Sequence, residues 1–217
     1  MRIQAVFTYS SDELDRLEKS ISAERLQPYQ FLANGDQRLA IKLYEWNTAI
    51  SESFYSVLQA LEISLRNSIH ESLRTAYRRP DWYHAAPLRR EQAETIQAVE
   101  ARLLRSNKTI TAGRVIAEIH LGFWVSLLGP AYAQLFWDKH LHKAMSVRLG
   151  RKAVYARLQG IRKLRNRVAH YESILGRNLK DDYSQILETI HWICPTTALW
   201  VRTTSNFHQR YASRPTS

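Results

Sequence analysis

Apolar residues recur every three to four positions along most of the chain, and no run sustains a period of two. That spacing predicts helices and no strands. The strongest stripe is Phe54, Val57, Leu58, Leu61, Leu65 and Ile69, which predicts a central core helix running to about Tyr77 and ended by Arg79-Pro80. Upstream, Ser10 and Glu13 have capping-box spacing, so a first helix starts at Ser10 or Ser11. A short helix over about Ala23 to Leu32 and a turn at Asn34-Gly35 follow. Asp36 can cap a helix carrying Leu39, Leu43 and Trp46 on one side, and Asn47, Thr48 and Ser51 mark a kink or break before the central helix.

Downstream, the pattern predicts a polar helix over about Leu88 to Ser106. An apolar one over about Ala112 to Leu128, capped by Thr111, comes next. Pro130 forces a break before another short helix. Arg151 to about Glu172 reads as a helix with Val154, Leu158, Ile161, Leu164 and Val168 on its buried stripe. The last helical region spans about Asp181 to Tyr211, with a kink near Pro195. The fold expected is an all-α helical bundle with short connections. No low-complexity tract, internal repeat or Gly/Ser linker interrupts it. Residues 1–217 therefore read as one domain, with 1–35 as an N-terminal helical appendage and 36–211 as the helical core.

Composition adds exclusions. The single cysteine, Cys194, forms no intramolecular disulfide and no cysteine-rich zinc site; it reads as a small buried apolar residue and suits a reducing cytoplasm. The first eleven residues lack a signal-peptide core, and the uncharged stretch from Leu121 to Trp137 contains Ser126, Gly129, Pro130 and Gln134. It reads as buried helix and turn, so a cytoplasmic protein without membrane partners is expected. There is no Gly-rich phosphate loop, no His-Glu-x-x-His zinc helix and no Gly-x-Ser-x-Gly elbow, and no cofactor or metal is expected.

The formal charge is +11, and its placement matters more than its size. Between Lys143 and Lys180 there are eleven Lys or Arg residues and one acid, Glu172. The rest of the chain is nearly neutral. Such a focus concentrates polyanions and makes their binding salt-dependent, although a solvated basic helix face has the same composition. Arg151, Lys152, Arg162, Lys163, Arg167, Arg177 and Lys180 are the candidate RNA phosphate contacts. Exposed Trp82, Tyr83 or Tyr171 would be candidates for stacking bases. Trp46 and Trp124 read as core or groove-lining rings.

The most informative run is Leu164-Arg165-Asn166-Arg167-Val168-Ala169-His170-Tyr171-Glu172. On a helix Asn166 and His170 share a face, while Arg165 is rotated from His170 by roughly 140°. The run resembles the Arg-Asn-x-x-x-His signature of HEPN nucleases. Leu43-Tyr44-Glu45-Trp46-Asn47, Leu61-Glu62-Ile63-Ser64-Leu65-Arg66-Asn67 and Gly122-Phe123-Trp124-Val125-Ser126-Leu127 are similar to blocks of Abi-like (abortive infection, AbiD/AbiF-type) proteins, in the same order. The resemblance covers nearly the whole chain. It implies a HEPN-type bundle with additional N-terminal helices, and a metal-independent endoribonuclease of an antiphage defence or toxin system. It also implies a homodimer whose two motifs line one cleft, with an antitoxin or a non-coding RNA as a further partner.

The chemistry is consistent with that implication. Cleavage by the neighbouring 2′-hydroxyl needs a base, an acid for the 5′-oxygen, and donors around the phosphate. Imidazole exchanges protons near neutral pH, so His170 can be acid or base. Arg165 offers a planar fork of donors, and Asn166 can hold the imidazole or add another donor. Glu62, Arg66 and His70 form a polar stripe at four-residue steps. Glu62 and Arg66 either make an ordinary intrahelical ion pair or orient Arg165 or His170. Arg66-Asn67-Ser68-Ile69-His70 mimics the motif but is one residue short. His170 could instead satisfy a carbonyl at a helix end, and Arg165 could be a phosphate contact or surface ion pair. Two rival functions stay open at this point: a module that holds structured or non-coding RNA without cutting it, and a subunit whose basic face meets an acidic protein. The tyrosine that some HEPN toxins carry two positions after the histidine is Glu172 here, with Tyr171 directly after His170.

Overall fold

The computed structural model describes residues 7–145 and 149–216. Every regular element among them is helical, as the periodicity predicts. Helix α1 spans Ser11–Ile21 and opens with the expected capping box, in which the Ser10 hydroxyl accepts from the Glu13 amide and the Glu13 carboxylate accepts from the Ser10 amide. The same carboxylate accepts the Thr8 hydroxyl at 2.7 Å, and this bond, followed by the one from the Ser10 amide, holds the Glu13 carboxyl down at about 2. Helix α2 spans Ala23–Leu32. Asn34 and Gly35 turn the chain with φ of 49° and 85°, and Asp36 Oδ1 accepts the Leu39 amide at 2.9 Å to start α3.

Helix α3 runs Gln37–Tyr77 without interruption, so the break expected at residues 47–51 does not occur. Neither glycine nor proline falls inside it. Two of the three polar side chains at 47–51 are occupied without opening the backbone, and the third, Ser51, keeps its hydroxyl buried without a hydrogen-bond partner. Thr48 Oγ1 donates back to the Tyr44 carbonyl at 3.2 Å, while the Asn47 amide bonds to chain far away in sequence. After Arg78 at φ 55° come a 3₁₀ turn at Trp82–His84 and α4 at Arg90–Arg105.

The apolar stretch from 112 to 128 is two helices, α5 (Ala112–Glu118) and α6 (Leu121–Ser126), rather than one. Ile119 between them is extended, at φ −83° and ψ 128°. Its carbonyl accepts the Trp124 indole N–H at 3.3 Å. That indole is fully buried, and the break supplies the acceptor it needs. Pro130–Tyr132 then forms a 3₁₀ turn and Ala133–Trp137 a π-helical turn. Helix α7 spans Arg151–Ala169, α8 Leu179–Ile193, α9 Pro195–Thr204 and α10 Phe207–Ala212. Cys194, expected to be buried, is partly exposed before α9, where its sulfur accepts the Thr197 amide at 3.5 Å. The hydrogen bonds from Thr197 lower the thiol from its ordinary value.

The chain divides into two compact units. The first comprises Met1–Tyr55, Arg167–Leu179 and Ser205–Ser217, and the second Ser56–Asn166 and Lys180–Thr204. In the first, Leu26, Tyr29, Ile41, Ile50, Phe54, Ile174 and Phe207 form the core. Phe54 meets Phe207 edge-on with ring centres 5.1 Å apart, and the Trp46 indole donates to the Arg210 carbonyl at 2.7 Å. In the second, Val57, Leu61, Leu65 and Ile69 of α3 are buried, as are Val154, Leu158, Ile161 and Leu164 of α7. No helix among the described residues is long and apolar enough to cross a membrane.

Candidate functional site

The motif occupies the C-terminal end of α7. The helix was expected to reach Glu172, but it stops at Ala169, and His170 becomes the cap residue. Tyr171 follows at φ 58°, its amide donating to the Val168 carbonyl at 3.2 Å. The Glu172 amide donates to the Arg167 carbonyl at 2.9 Å. These two bonds make a Schellman ending, with Tyr171 at the left-handed position that glycine or asparagine usually takes. The helix ends there because the backbone reverses hand, a choice that no residue type in His170-Tyr171-Glu172 announces. Asn166 and His170 are both exposed, and neither side chain makes a hydrogen bond or ion pair with another described residue.

Within the second unit, the polar stripe of α3 reaches three different partners. Glu62 Oε2 lies 3.7 Å from Arg165 Nε, both side chains being partly exposed. One turn on, Arg66 Nη1 donates to the Ala117 carbonyl near the end of α5 at 3.3 Å. One turn further, His70 Nδ1 accepts the Trp82 indole N–H at 3.1 Å, and burial pushes the imidazole below its ordinary pKa. Accepting that bond requires the unprotonated nitrogen, so His70 is a structural acceptor. Arg162, one turn before Asn166, lies against α6. A β-carbon at Gly122 would stand 3.1 Å from the His120 ring, a tight contact, and 3.6 Å from an Arg162 guanidinium nitrogen, ordinary packing distance. The Nε atoms of Arg66 and Arg162 are buried without a hydrogen-bond partner.

Within the first unit, the chain after His170 is clasped by residues from elsewhere. Asn47, 4 % exposed, accepts the Ile174 amide at 2.9 Å, and its own amide reaches the Glu172 carbonyl at 3.5 Å. Arg25 Nη1 donates to the Tyr171 carbonyl at 2.9 Å, and Arg167 Nη1 to the Ser173 carbonyl at 3.1 Å. Sequence reading missed Arg25 altogether and took Asn47 for a helix breaker. The available signal was an amide side chain on the apolar stripe Leu43, Asn47, Ile50, Phe54, which a helix buries only if the amide has partners.

The basic residues serve different ends. Arg151 Nη1 donates to the Leu128 carbonyl at 3.0 Å, while Lys152, Lys163 and Lys180 are exposed and Arg177 is partly so. Arg157 pairs with Glu188 and lies over the Trp192 ring at 4.7 Å. Of the three aromatics considered for base stacking, Trp82 and Tyr83 are buried in the core of the second unit, which removes them. Tyr171 is 78 % exposed. Trp46 and Trp124 are core rings. Among the described residues, no group of three or more His, Cys, Asp or Glu side chains is arranged to hold a metal ion.

Motif residues Arg165 and Asn166 thus belong to the second unit, with Glu62 and Arg66, and His170 belongs to the first. No protein-family model matches this chain, and neither does any curated protein or solved structure.

Proposed function

We propose that this protein is an endoribonuclease that cuts RNA through the neighbouring 2′-hydroxyl, with Arg165, Asn166 and His170 as its catalytic residues and no metal in the chemistry. One observation carries the reading. The run Arg165-Asn166-x-x-x-His170 ends a helix within a segment of eleven cations and one acid, with its imidazole solvent-exposed at the helix cap. An imidazole takes the 2′-proton as the 2′-oxygen attacks phosphorus, and the 5′-oxygen leaves with a proton from an acid. Arg165 supports the charge on the non-bridging oxygens, and the Glu62 carboxylate, 3.7 Å away and short of hydrogen bonding, biases the guanidinium by charge alone. Each chain supplies one such histidine while the reaction uses an acid and a base, so a homodimer presenting two motifs completes the site. The HEPN-type, Abi-like resemblance supports the same reading, with growth arrest during phage infection as its setting.

The test is His170→Ala on an RNA that the parent cleaves. Cleavage is lost, RNA binding survives, and the parent's products carry 2′,3′-cyclic phosphates. Equal cleavage by the variant and the parent defeats the mechanism. A second reading, an RNA-holding module that does not cut, is favoured by the Glu62–Arg165 approach, because a purely structural arginine would be paired in the same way. Co-purification of a discrete RNA that the parent leaves intact supports it.

A further inference from the structure

The chain that follows His170 lines a cavity of about 480 Å³ within the first unit, whose walls include Ser22, Glu24, Arg25, Arg167, Tyr171 and Glu172. We propose that this cavity holds one unpaired nucleobase of an RNA strand, stacked on the Tyr171 ring, with guanine preferred through the Glu172 carboxylate. The inference rests on the RNA reading above and adds the subsite beside the cut.

Tyr171 is the first argument. It occupies the left-handed position of a Schellman ending at φ 58°, where a β-carbon is strained and glycine is not. Its side chain is 78 % exposed, so packing gives no reason for an aromatic ring there. Ser22, across the same cavity, is also held at positive φ, 86°. The Ser22 conformation belongs to the junction of α1 and α2, where its hydroxyl accepts the Arg25 amide and caps α2, so Tyr171 is the strained residue here that packing leaves unexplained. The Arg25 hydrogen bond to the Tyr171 carbonyl fixes the backbone that aims the ring.

Charge is the second argument. The cavity wall carries two guanidinium groups, Arg25 and Arg167, and two carboxylates, Glu24 and Glu172. A phosphate would meet repulsion from the carboxylates. An uncharged group with donors and acceptors on its edge suits the wall, and a base is such a group. The volume is in the range of small-ligand sites.

The third argument is the state of Glu172. Its nearest cation, Arg167 Nε, is 3.9 Å away, beyond hydrogen-bonding range. Its oxygens are therefore available as acceptors. Guanine presents two neighbouring N–H donors on its Watson–Crick edge, which one carboxylate can accept together. Because Tyr171 and Glu172 follow His170 directly, a base held by them belongs to a nucleotide next to the phosphate at His170.

The experiment measures equilibrium binding of uncleavable 2′-O-methyl decamers, uridine throughout except for one guanosine, inosine or adenosine. The parent binds the guanosine strand tightest, and Tyr171→Phe binds like the parent. Tyr171→Gly loses about 5- to 150-fold, the effect of removing one base–aromatic stack, and no longer distinguishes the strands. Its thermal midpoint equals or exceeds the parent's, because the strained turn is relieved; a lower midpoint overturns the argument from strain. Glu172→Gln no longer prefers guanosine over inosine, which lacks the second donor. A parent that binds all three strands equally, or a Tyr171→Gly variant that binds as the parent does, overturns the pocket and leaves the nuclease reading standing. A parent that binds none of them and cleaves no RNA overturns both.

Discussion

Replacing Asn47 by alanine removes a side chain that ties the segment after the motif histidine to the buried stripe of α3. Asn47 Oδ1 accepts the Ile174 amide at 2.9 Å, and Ile174 is fully buried, so no water can take over that donor. The second bond, to the Glu172 carbonyl at 3.5 Å, is at the limit of hydrogen-bonding distance and contributes little. Leaving a buried amide N–H unpaired costs about 1–3 kcal/mol. A chain of 217 residues loses roughly 2–4 °C of midpoint per kcal/mol, so the fall expected is about 2–12 °C. Thr48→Ala is the control: its hydroxyl bonds to the Tyr44 carbonyl within the same helix at an exposed position, and its loss stays within about 0.5 kcal/mol. Urea and thermal denaturation of the two variants give the comparison. RNA cleavage by Asn47→Ala, measured well below its midpoint, falls further than unfolding explains, because the turn carrying His170 has lost its clasp. If Asn47→Ala melts together with Thr48→Ala, the clasp contributes nothing and the account of this loop is wrong.

Three further outcomes follow from the same geometry. Glu62→Gln changes stability by less than about 1 kcal/mol, since its ion pair is long and partly exposed, yet lowers kcat for RNA cleavage with little change in RNA affinity; an unchanged kcat removes the positioning role of Glu62. His70 titrates below its ordinary value of 6.5 in the folded protein because of burial, whereas the unfolded chain protonates it normally. Its contribution is therefore complete above about pH 6.5 and is lost as pH falls toward the folded-state value, so the stability advantage of the parent over His70→Gln shrinks from pH 7.5 to pH 5; an advantage independent of pH contradicts this. If exposed Lys163 meets a phosphate, Lys163→Ala reduces the slope of log affinity against log salt by about 0.7 for single-stranded RNA, and an unchanged slope excludes the contact.

What the sequence disclosed and what it hid divide along a physical line. The Ser10 capping box and the Asp36 and Thr111 caps are interactions among residues within four positions and appear where the pattern puts them, while helix periodicity finds the helices but not the break at Ile119 or the end of α7 at Ala169. The contacts that shape the neighbourhood of His170 join positions far apart: Asn47 to Ile174 across 127 residues, Arg25 to Tyr171 across 146. No local pattern encodes those pairs. At Asn47 the local rule gave the wrong sign, because an amide that competes with its own helix when solvated becomes a clasp when buried against a second segment. Another failure is Tyr171. A helix ending is legible when glycine or asparagine marks the left-handed residue, and here a tyrosine stands in that place. These two misreadings bear on the segment that follows His170, within the first unit, whereas the missed break at Ile119 lies in the second. Local propensity is expected to fail where a residue has been set by something other than the stability of its own segment. The end of α7 is where that condition is met, since its backbone is strained, its aromatic ring is left in solvent, and its buried amide is satisfied only from a distant helix.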